Sequence, residues 1–319
     1  METPILIEEL GDTPDAIGNA CQLFEAVFQH PANPHWWDWK YHQAPYSSAI
    51  NLVARMPASG QLAGHVGAVI LPGRHAGQAM RMAHLTDVMV RPEARGGLQA
   101  DGTYGRLMAA MSEHLQSTGA QTPLFAYGFP GQTPSRLGTR MRLYRPLYPC
   151  QEYSWADTPG SWLSRMYRFR PCTEAPWPIA QLDRIWDANA PLAQAPTITK
   201  DGAYLQWRYA NHPQKPYTLW LVGPAMGAAI GWVVTRQQPK PLVVDALLPQ
   251  AWRRQPHWQR LQHALIRASG IEQWSSWLSP GWEGAKSAAT MIVAVEFDAA
   301  GLHPHWPAPE FQPGDTDVF

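Results

Sequence analysis

A short glycine- and arginine-rich segment, residues 90–102, carries the clearest chemical potential in the sequence. It reads VRPEARGGLQADG and joins an apolar run to a segment with helical periodicity. Glycines let backbone N–H groups converge on an anion, the helix after them adds partial positive charge, and Arg95 can donate two hydrogen bonds. The segment predicts either a pyrophosphate-binding loop or a plain strand-to-helix turn that uses glycine for positive φ.

Two stretches 168 positions apart share the motif W-[KR]-Y-x-x-x-P, which begins at Trp39 and again at Trp207. After each motif come an apolar run, two glycines four residues apart, an aspartate that begins another apolar run, and a helix-period segment. The two aspartates are Asp87 and Asp245. This order predicts a tandem repeat. The alternative is two unrelated α/β units that share only the order strand, turn and strand.

The elements predicted for the first copy place the 90–102 segment at the end of a sheet. Periodicity predicts strands at 5–9, 49–55, 62–71, 80–90 and 124–127, helices at 14–27, 34–41, 102–118 and 133–141, and a strand pair within 143–155. Three successive strands before the main helix predict an α+β class with mixed, mostly antiparallel sheets flanked by helices. Breaker residues predict domains at 1–155 and 179–319, joined by a linker at 156–178.

Composition narrows the classes of partner. The 319 residues include 25 basic and 25 acidic ones, so the formal net charge is zero, and we expect neither nucleic acid nor a membrane as partner. No apolar run approaches the ~18 residues of a membrane span. Three scattered cysteines and no secretory segment after Met1 predict a cytoplasmic protein with reduced thiols.

Several motifs together resemble the GNAT superfamily of acetyl-CoA-dependent N-acyltransferases. They are the strand, V-x-P-x-x-R-G-x loop and helix around residue 95, the strand with its exit FAYGFP at 125–130, SRLG at 135–138 and MRLY at 141–144. With the W-K-Y element and the GDTD at 314–317, they resemble two-domain bacterial members. The likeness is good over 5–155 and weak over 203–297, so it implies tandem GNAT-like domains of which the second is degenerate.

The resemblance implies acetyl-CoA or a related acyl-CoA as co-substrate. Met89 and Val90 would pair with the pantetheine arm, and the loop would hold the pyrophosphate. Leu98 stands where the family has glycine, and the second copy has no glycine at this place, so we expect that half to have lost the coenzyme. The loop residues implied are Arg95, Gly96, Gly97, Leu98, Gly102 and Thr103.

The resemblance also suggests where proton transfer would occur. Asp87 and His84 lie on the strand that would border the acceptor cleft, but a spacing of three puts them on opposite faces unless a bulge intervenes. Asp87, repeated as Asp245, could equally be a structural partner, and His84 a structural, partly buried histidine. The family's usual acid, a helical tyrosine, is missing here. Tyr144 is the nearest phenol, and Tyr127 is the next.

Two tryptophans lie in the short helix that covers the acceptor side in GNAT domains. Trp36 and Trp37 would either line the acceptor site, together with Tyr127, or attach the helix to the sheet. Trp39 recurs as Trp207, which favours packing. His303 and His305 have no third ligand at a suitable spacing, so we expect no metal site.

These features predict a cytoplasmic N-acyltransferase that moves an acetyl or other acyl group from CoA to a small-molecule amine by direct attack in a ternary complex. A homodimer is compatible with the tryptophan-rich second half. Two alternatives stay open. One is transfer of a longer acyl chain from acyl-CoA or an acyl carrier protein, and the other is a non-catalytic acyl-CoA-binding or interaction protein.

Overall fold

The computed structural model of the protein describes residues 5–46, 48–95, 102–119, 122–156, 162–173, 176–189, 195–254, 256–278, 293–297 and 306–316. The chain forms two compact units, and neither is a single stretch of sequence. One comprises residues 1–149, 193–198 and 291–309, and the other 150–192, 199–290 and 310–319. Within the described ranges, no helix is both long and apolar enough to cross a bilayer.

The elements up to residue 156 are in the predicted order. Thr13 and Asn33 cap the first two helices through their side-chain oxygens, and a proline opens each helix. The elements are β1 (Leu6–Glu9), α1 (Pro14–Phe28), α2 (Pro34–Tyr41), β2 (Ser48–Arg55), β3 (Leu62–His75), β4 (Gln78–Val90), α3 (Thr103–Gly119), β5 (Leu124–Gly128), α4 (Gln132–Arg140), β6 (Tyr144–Pro149) and β7 (Gln151–Ala156).

The remaining elements begin inside the segment that the sequence predicts to be a linker. They are β8 (Tyr167–Cys172), α5 (Ile179–Asn189), β9 (Thr197–Ile198), α6 (Gly202–Leu205), which continues as a π-helix at Gln206–Ala210, β10 (Thr218–Pro224), β11 (Gly231–Arg236), β12 (Leu242–Leu247), α7 (His257–Ser269), β13 (Gln273–Leu278) and β14 (Val293–Phe297). Because β8 pairs with β10, residues 167–172 belong to the second sheet and are not a linker.

The two sheets have the same pairing pattern, which supports the predicted repeat. The first has the order β1-β2-β3-β4-β5-β14-β6, and the second has the order β8-β10-β11-β12-β13-β7. In each, three antiparallel pairs are followed by one parallel pair, β4–β5 or β12–β13, and then by an antiparallel one. Mixed sheets flanked by helices confirm the predicted α+β class.

One strand prediction is wrong. β6 and β7 do not pair with each other, although only Cys150 separates them, because β7 pairs with β13 in the second sheet. The place beside β5 and β6 is taken by β14, which lies far along the chain. This exchange also moves the division between the units from the predicted residue 155 to residue 149.

The two faces of the first sheet pack against different helices. Leu107, Met108 and Met111 of α3 pack against Ala83, Leu85 and Ala126 on one face, together with Val295 of β14. Side chains alternate along a strand, so the neighbours of these strand residues point to the opposite face, where α2 contacts the sheet. We refer to these faces as the α3 face and the α2 face.

The exchanged strand should stabilise the first unit from a distant part of the sequence. Val295→Ala removes two methyl groups from a fully buried site, and we expect it to lower the free energy of unfolding by about 2 kcal/mol. Leu6→Ala on the exposed side of β1 is the matched control and should change it by less than ~0.5 kcal/mol. Urea unfolding with amide exchange in β5 measures both. Equal values would show that β14 does not contribute to this core.

Candidate functional site

A bulge in β4 determines which side chains reach the α2 face. The β3–β4 register shifts between His65 and Gly67, so Asp87 and Val88 both lie opposite Val66. Asp87 has φ of 48°, in the left-handed region. The bulge adds one residue to the alternation, and Asp87 therefore reaches the same face as His84. This is the arrangement that the sequence allows only if a bulge intervenes.

The Asp87 carboxylate is held by two residues of the W-K-Y motif. Lys40 Nζ lies 2.8 Å from Oδ2, and the Tyr41 hydroxyl donates to the same oxygen at 2.5 Å. Lys40 Nζ also donates to Thr86 Oγ1 at 2.7 Å. The Lys40 and Asp87 side chains are 2% and 6% exposed. Both partners hold Oδ2, and the Thr86 hydroxyl lies 3.4 Å from Oδ1.

The same pairing recurs in the second unit. The Tyr209 hydroxyl donates to Asp245 Oδ2 at 2.7 Å, and Lys200 Nζ lies 2.9 Å from this oxygen. Burial raises the pKa of Asp245, and Lys200 opposes this effect. Burial would lower the pKa of Lys200, but Asp245 and Asp315 together raise it above its ordinary value. Because this half has no glycine loop, the recurrence favours a structural role for Asp87 and Asp245.

His65 contacts the backbone of the bulge. One ring nitrogen lies 2.8 Å from the Asp87 carbonyl oxygen and the other 3.1 Å from Asn51 Oδ1. Burial lowers the pKa of His65 to about 4, so the ring is neutral at pH 7. Sequence reasoning missed Lys40, Tyr41 and His65. The recurrence of W-[KR]-Y together with an aspartate was a signal for Tyr41.

The two tryptophans of α2 differ in their surroundings. Trp37 is fully buried, with its ring 5.1 Å from that of His65. Trp36 is half-buried, makes an edge contact with Phe24 at 5.4 Å, and lies 4.7 Å from Lys40 Nζ. Of these two predicted acceptor-binding residues, Trp36 alone presents part of its ring to solvent.

His84 stacks on Tyr127 across the β4–β5 pair. The ring centroids are 5.1 Å apart with an interplanar angle of 10°, and Phe129 packs edge-on against His84 at 5.7 Å. His84 and Tyr127 lie directly opposite each other in the register. The structure thus brings together three predicted site residues, His84, Asp87 and Tyr127, on the α2 face.

The parallel pairing of β4 with β5 ends just beyond this stack, where β5 ends. Their register ends at Leu85 and Gly128, whereas β4 continues to Val90. In the part of the chain that the structure describes, no strand pairs with residues 87–90 on the β5 side. Met89 and Val90, predicted to contact the coenzyme, lie in this stretch. An extended ligand chain could form backbone hydrogen bonds there.

The glycine-rich loop is described only at its ends, because Gly96, Gly97 and Leu98 lie outside the described residues. Before the gap, Arg95 Nε donates to the Val90 carbonyl at 3.2 Å. After it, Gly102 precedes the first turn of α3, and Thr103 Oγ1 donates to the Ala94 carbonyl at 2.7 Å. The loop ends are thus tied to each other.

We call the hydrogen bond from Arg95 Nε to the Val90 carbonyl the arginine tie. It recurs in the second unit, where Arg253 Nε donates to the Leu248 carbonyl at 3.1 Å. The spacing from donor to acceptor is five residues in both units. This recurrence shows that the Nε contact of Arg95 belongs to the fold, and any contact of this residue with a phosphate would use its terminal nitrogens.

Tyr144 lies on the α3 face, away from His84 and Asp87. Its hydroxyl accepts a hydrogen bond from the Tyr104 hydroxyl at 3.2 Å, and its ring packs on Gly138. Burial raises the pKa of Tyr144 well above its usual range, with Tyr104 as a further cause, so the phenol keeps its proton at neutral pH. Tyr104 was not singled out by the sequence.

Because Lys40 and Asp87 are buried together, we expect the effects of substituting them on the free energy of unfolding to be strongly coupled. Asp87→Asn leaves the buried ammonium without its counter-ion and should lower the free energy of unfolding by about 3–5 kcal/mol. The double variant Lys40→Met/Asp87→Asn should lose less than either single variant. Urea unfolding measures the cycle. Lys240→Met, at the exposed pair with Glu152, is the control and should cost under ~1 kcal/mol. Additive losses at Lys40 and Asp87 would contradict this prediction.

Comparisons with known proteins concern the domain and the fold of this chain. Residues 13–145 match the family model described as "Acetyltransferase (GNAT) domain". No curated protein sequence matches the chain. Among solved structures, a conserved protein of unknown function from Enterococcus faecalis V583, described as a probable N-acyltransferase, has a TM-score of 0.65 at 16% identity. The match covers 92% of this chain and 72% of the Enterococcus chain.

Two further structures share the fold. A GCN5-related N-acetyltransferase from Anabaena variabilis has a TM-score of 0.63 at 16% identity, and the match covers 91% of this chain and 72% of the Anabaena chain. The N-myristoyltransferase of Saccharomyces cerevisiae was solved with bound myristoyl-CoA. It has a TM-score of 0.59 at 6% identity, and the match covers 93% of this chain and 83% of the yeast chain. Residues 13–145 therefore match a GNAT acetyltransferase domain, and the chain shares the fold of these solved structures over nine-tenths of its length.

Proposed function

We propose that the protein transfers an acyl group from coenzyme A to the amine of a small molecule, by direct attack on the thioester in a ternary complex. The observation that carries this proposal is that β5 ends at Gly128, opposite Leu85, so that no described strand pairs with residues 87–90 on this side of β4. The pantetheine arm would pair with residues 87–90, and backbone N–H groups there would polarise the thioester carbonyl. The loop from Arg95 to Thr103 would hold the pyrophosphate.

The two faces of the sheet would divide the reaction between them. The phosphates would lie at the start of α3, and the acceptor would approach on the α2 face, past the half-buried Trp36. His84 is the residue we propose to take the amine proton, because it lies one residue before the end of the β4–β5 pairing and the Asp87 carboxylate binds Lys40 and Tyr41. Asp87 would position β4, and Tyr144 is the phenol that we propose to give a proton to the departing thiolate, from the α3 face.

The acyl group transferred could be acetyl or a longer chain. The family of the domain favours acetyl-CoA, whereas the structural likeness to a protein solved with myristoyl-CoA favours testing longer chains. A titration series from acetyl- to myristoyl-CoA separates the two. No binding of any acyl-CoA at millimolar concentration would overturn the proposal. Binding without thiol release across a panel of amines would favour a non-catalytic acyl-CoA-binding protein.

The repeated arginine tie provides a matched pair of variants for the binding site. Arg95→Ala should weaken acetyl-CoA binding by about 1–3 kcal/mol, since it removes a charge-assisted donor and the tie that holds the loop. Arg253→Ala removes the same tie in the half without glycines and should leave the affinity unchanged. Calorimetric titration measures both. Equal effects of the two variants would mean that the coenzyme does not use the 95–103 loop.

The role of His84 can be separated from that of the binding site by steady-state kinetics. With an amine that gives thiol release, His84→Gln should lower kcat about 100-fold or more and leave the KM for acetyl-CoA nearly unchanged, because a general base acts on the acceptor. His30→Gln at an exposed site is the control. An unchanged kcat and pH profile in His84→Gln would assign the proton transfer to another group.

A further inference from the structure

Four exposed apolar side chains lie at one end of the second sheet. Met226 is 95% exposed, Trp162 74%, Met166 49% and Ile230 39%. Two backbone hydrogen bonds bring their segments together, from Ala225 N to the Met166 carbonyl at 2.7 Å and from Ile230 N to the Val222 carbonyl at 2.9 Å. We call this group of four side chains the apolar tip.

The segment that carries Trp162 and Met166 is fixed to the rest of the unit. It is a 3₁₀ turn, Trp162–Met166. The guanidinium of Arg267 on α7 donates to Ser164 Oγ at 2.6 Å and to the carbonyl oxygens of Ser164 and Tyr167, each at 3.1 Å. The fold thus holds these apolar side chains outward, in a defined place.

The two segments that carry the apolar tip have no acidic residue, whereas α5, whose Asn189 donates to the Ile230 carbonyl at 2.8 Å, carries the exposed Asp187 two residues earlier. Residues 162–172 contain three arginines, Arg165, Arg168 and Arg170, and no acidic residue, and residues 223–230 carry no charge. All three arginines are exposed. The chain as a whole has zero net charge, but a run of three exposed arginines lies next to the apolar side chains of the tip. This combination favours a surface that has both anionic groups and an apolar interior.

We propose that the apolar tip and its three arginines bind the surface of an anionic phospholipid membrane. Tryptophan and methionine side chains would enter the boundary between headgroups and acyl chains, and the arginines would contact the phosphates. A protein partner would need a concave surface for Met226, whereas a lipid surface deforms around it.

Co-sedimentation with lipid vesicles tests the proposal on the full chain. Vesicles of phosphatidylcholine with about one-third phosphatidylglycerol should bind the protein, and pure phosphatidylcholine vesicles should bind it at least tenfold less. Binding should fall in 0.5 M salt. Trp162→Ser/Met226→Ser should weaken binding at least tenfold, and Arg165→Gln/Arg168→Gln by a similar factor, since each arginine near such a surface contributes about fivefold.

Tyr46→Ser is the matched control, because Tyr46 is as exposed as Trp162 but lies in the other unit. It should bind vesicles like the unsubstituted protein. Circular dichroism checks that each variant is folded. Absence of binding to anionic vesicles, or equal loss in Tyr46→Ser and in the double variants, would overturn the proposal. A dimer in size-exclusion chromatography that Trp162→Ser abolishes would overturn it too and assign the tip to self-association.

Discussion

The structure around the site depends on a buried carboxylate at the bulge of β4. An ionised side chain away from water costs several kcal/mol unless cations and donors surround it. Lys40 and Tyr41 supply both for Asp87, and both lie in the last turn of α2. The pairing therefore fixes α2 on the sheet next to the point where the β4–β5 pairing ends. Gly67 on β3 is part of this constraint, because a Cβ there would lie 2.3 Å from the Tyr41 hydroxyl oxygen.

The second unit meets the same constraint with a different cation. Tyr209 and Asp245 repeat the phenol and the carboxylate, but the residue at the lysine position of the motif is Arg208, which donates to the carbonyl oxygens of Gly314 and Thr316. Lys200, from outside the motif, supplies the charge for Asp245. Sequence comparison of the two halves could predict the tyrosine–aspartate pair, since both residues recur. It could not predict the source of the cation, because only the folded chain brings Lys200 close.

The helices and most strands could be predicted from local patterns, whereas the exchange of β7 and β14 could not. Pairing in a sheet depends on which edge a strand meets, and nothing within residues 143–156 indicates that its partners are β13 and β14. The site shows the same limit. Chemistry and resemblance pointed to His84 and Asp87, but alternation placed them on opposite faces. The left-handed backbone at Asp87 reverses that result, and an aspartate in the sequence gives no sign of it.

The two halves share the arginine tie and differ in the residues that come after it. Arg95 and Arg253 hold equivalent carbonyl oxygens at the same spacing, so both units present a strand, a 3₁₀ turn and a helix in the same order. Only the first half has glycines after the arginine. A phosphate needs several N–H groups that converge without side chains between them. Under the proposed function, a difference of a few residues in one loop separates the unit that would bind the coenzyme from the unit that would not, while both units keep the buried pair.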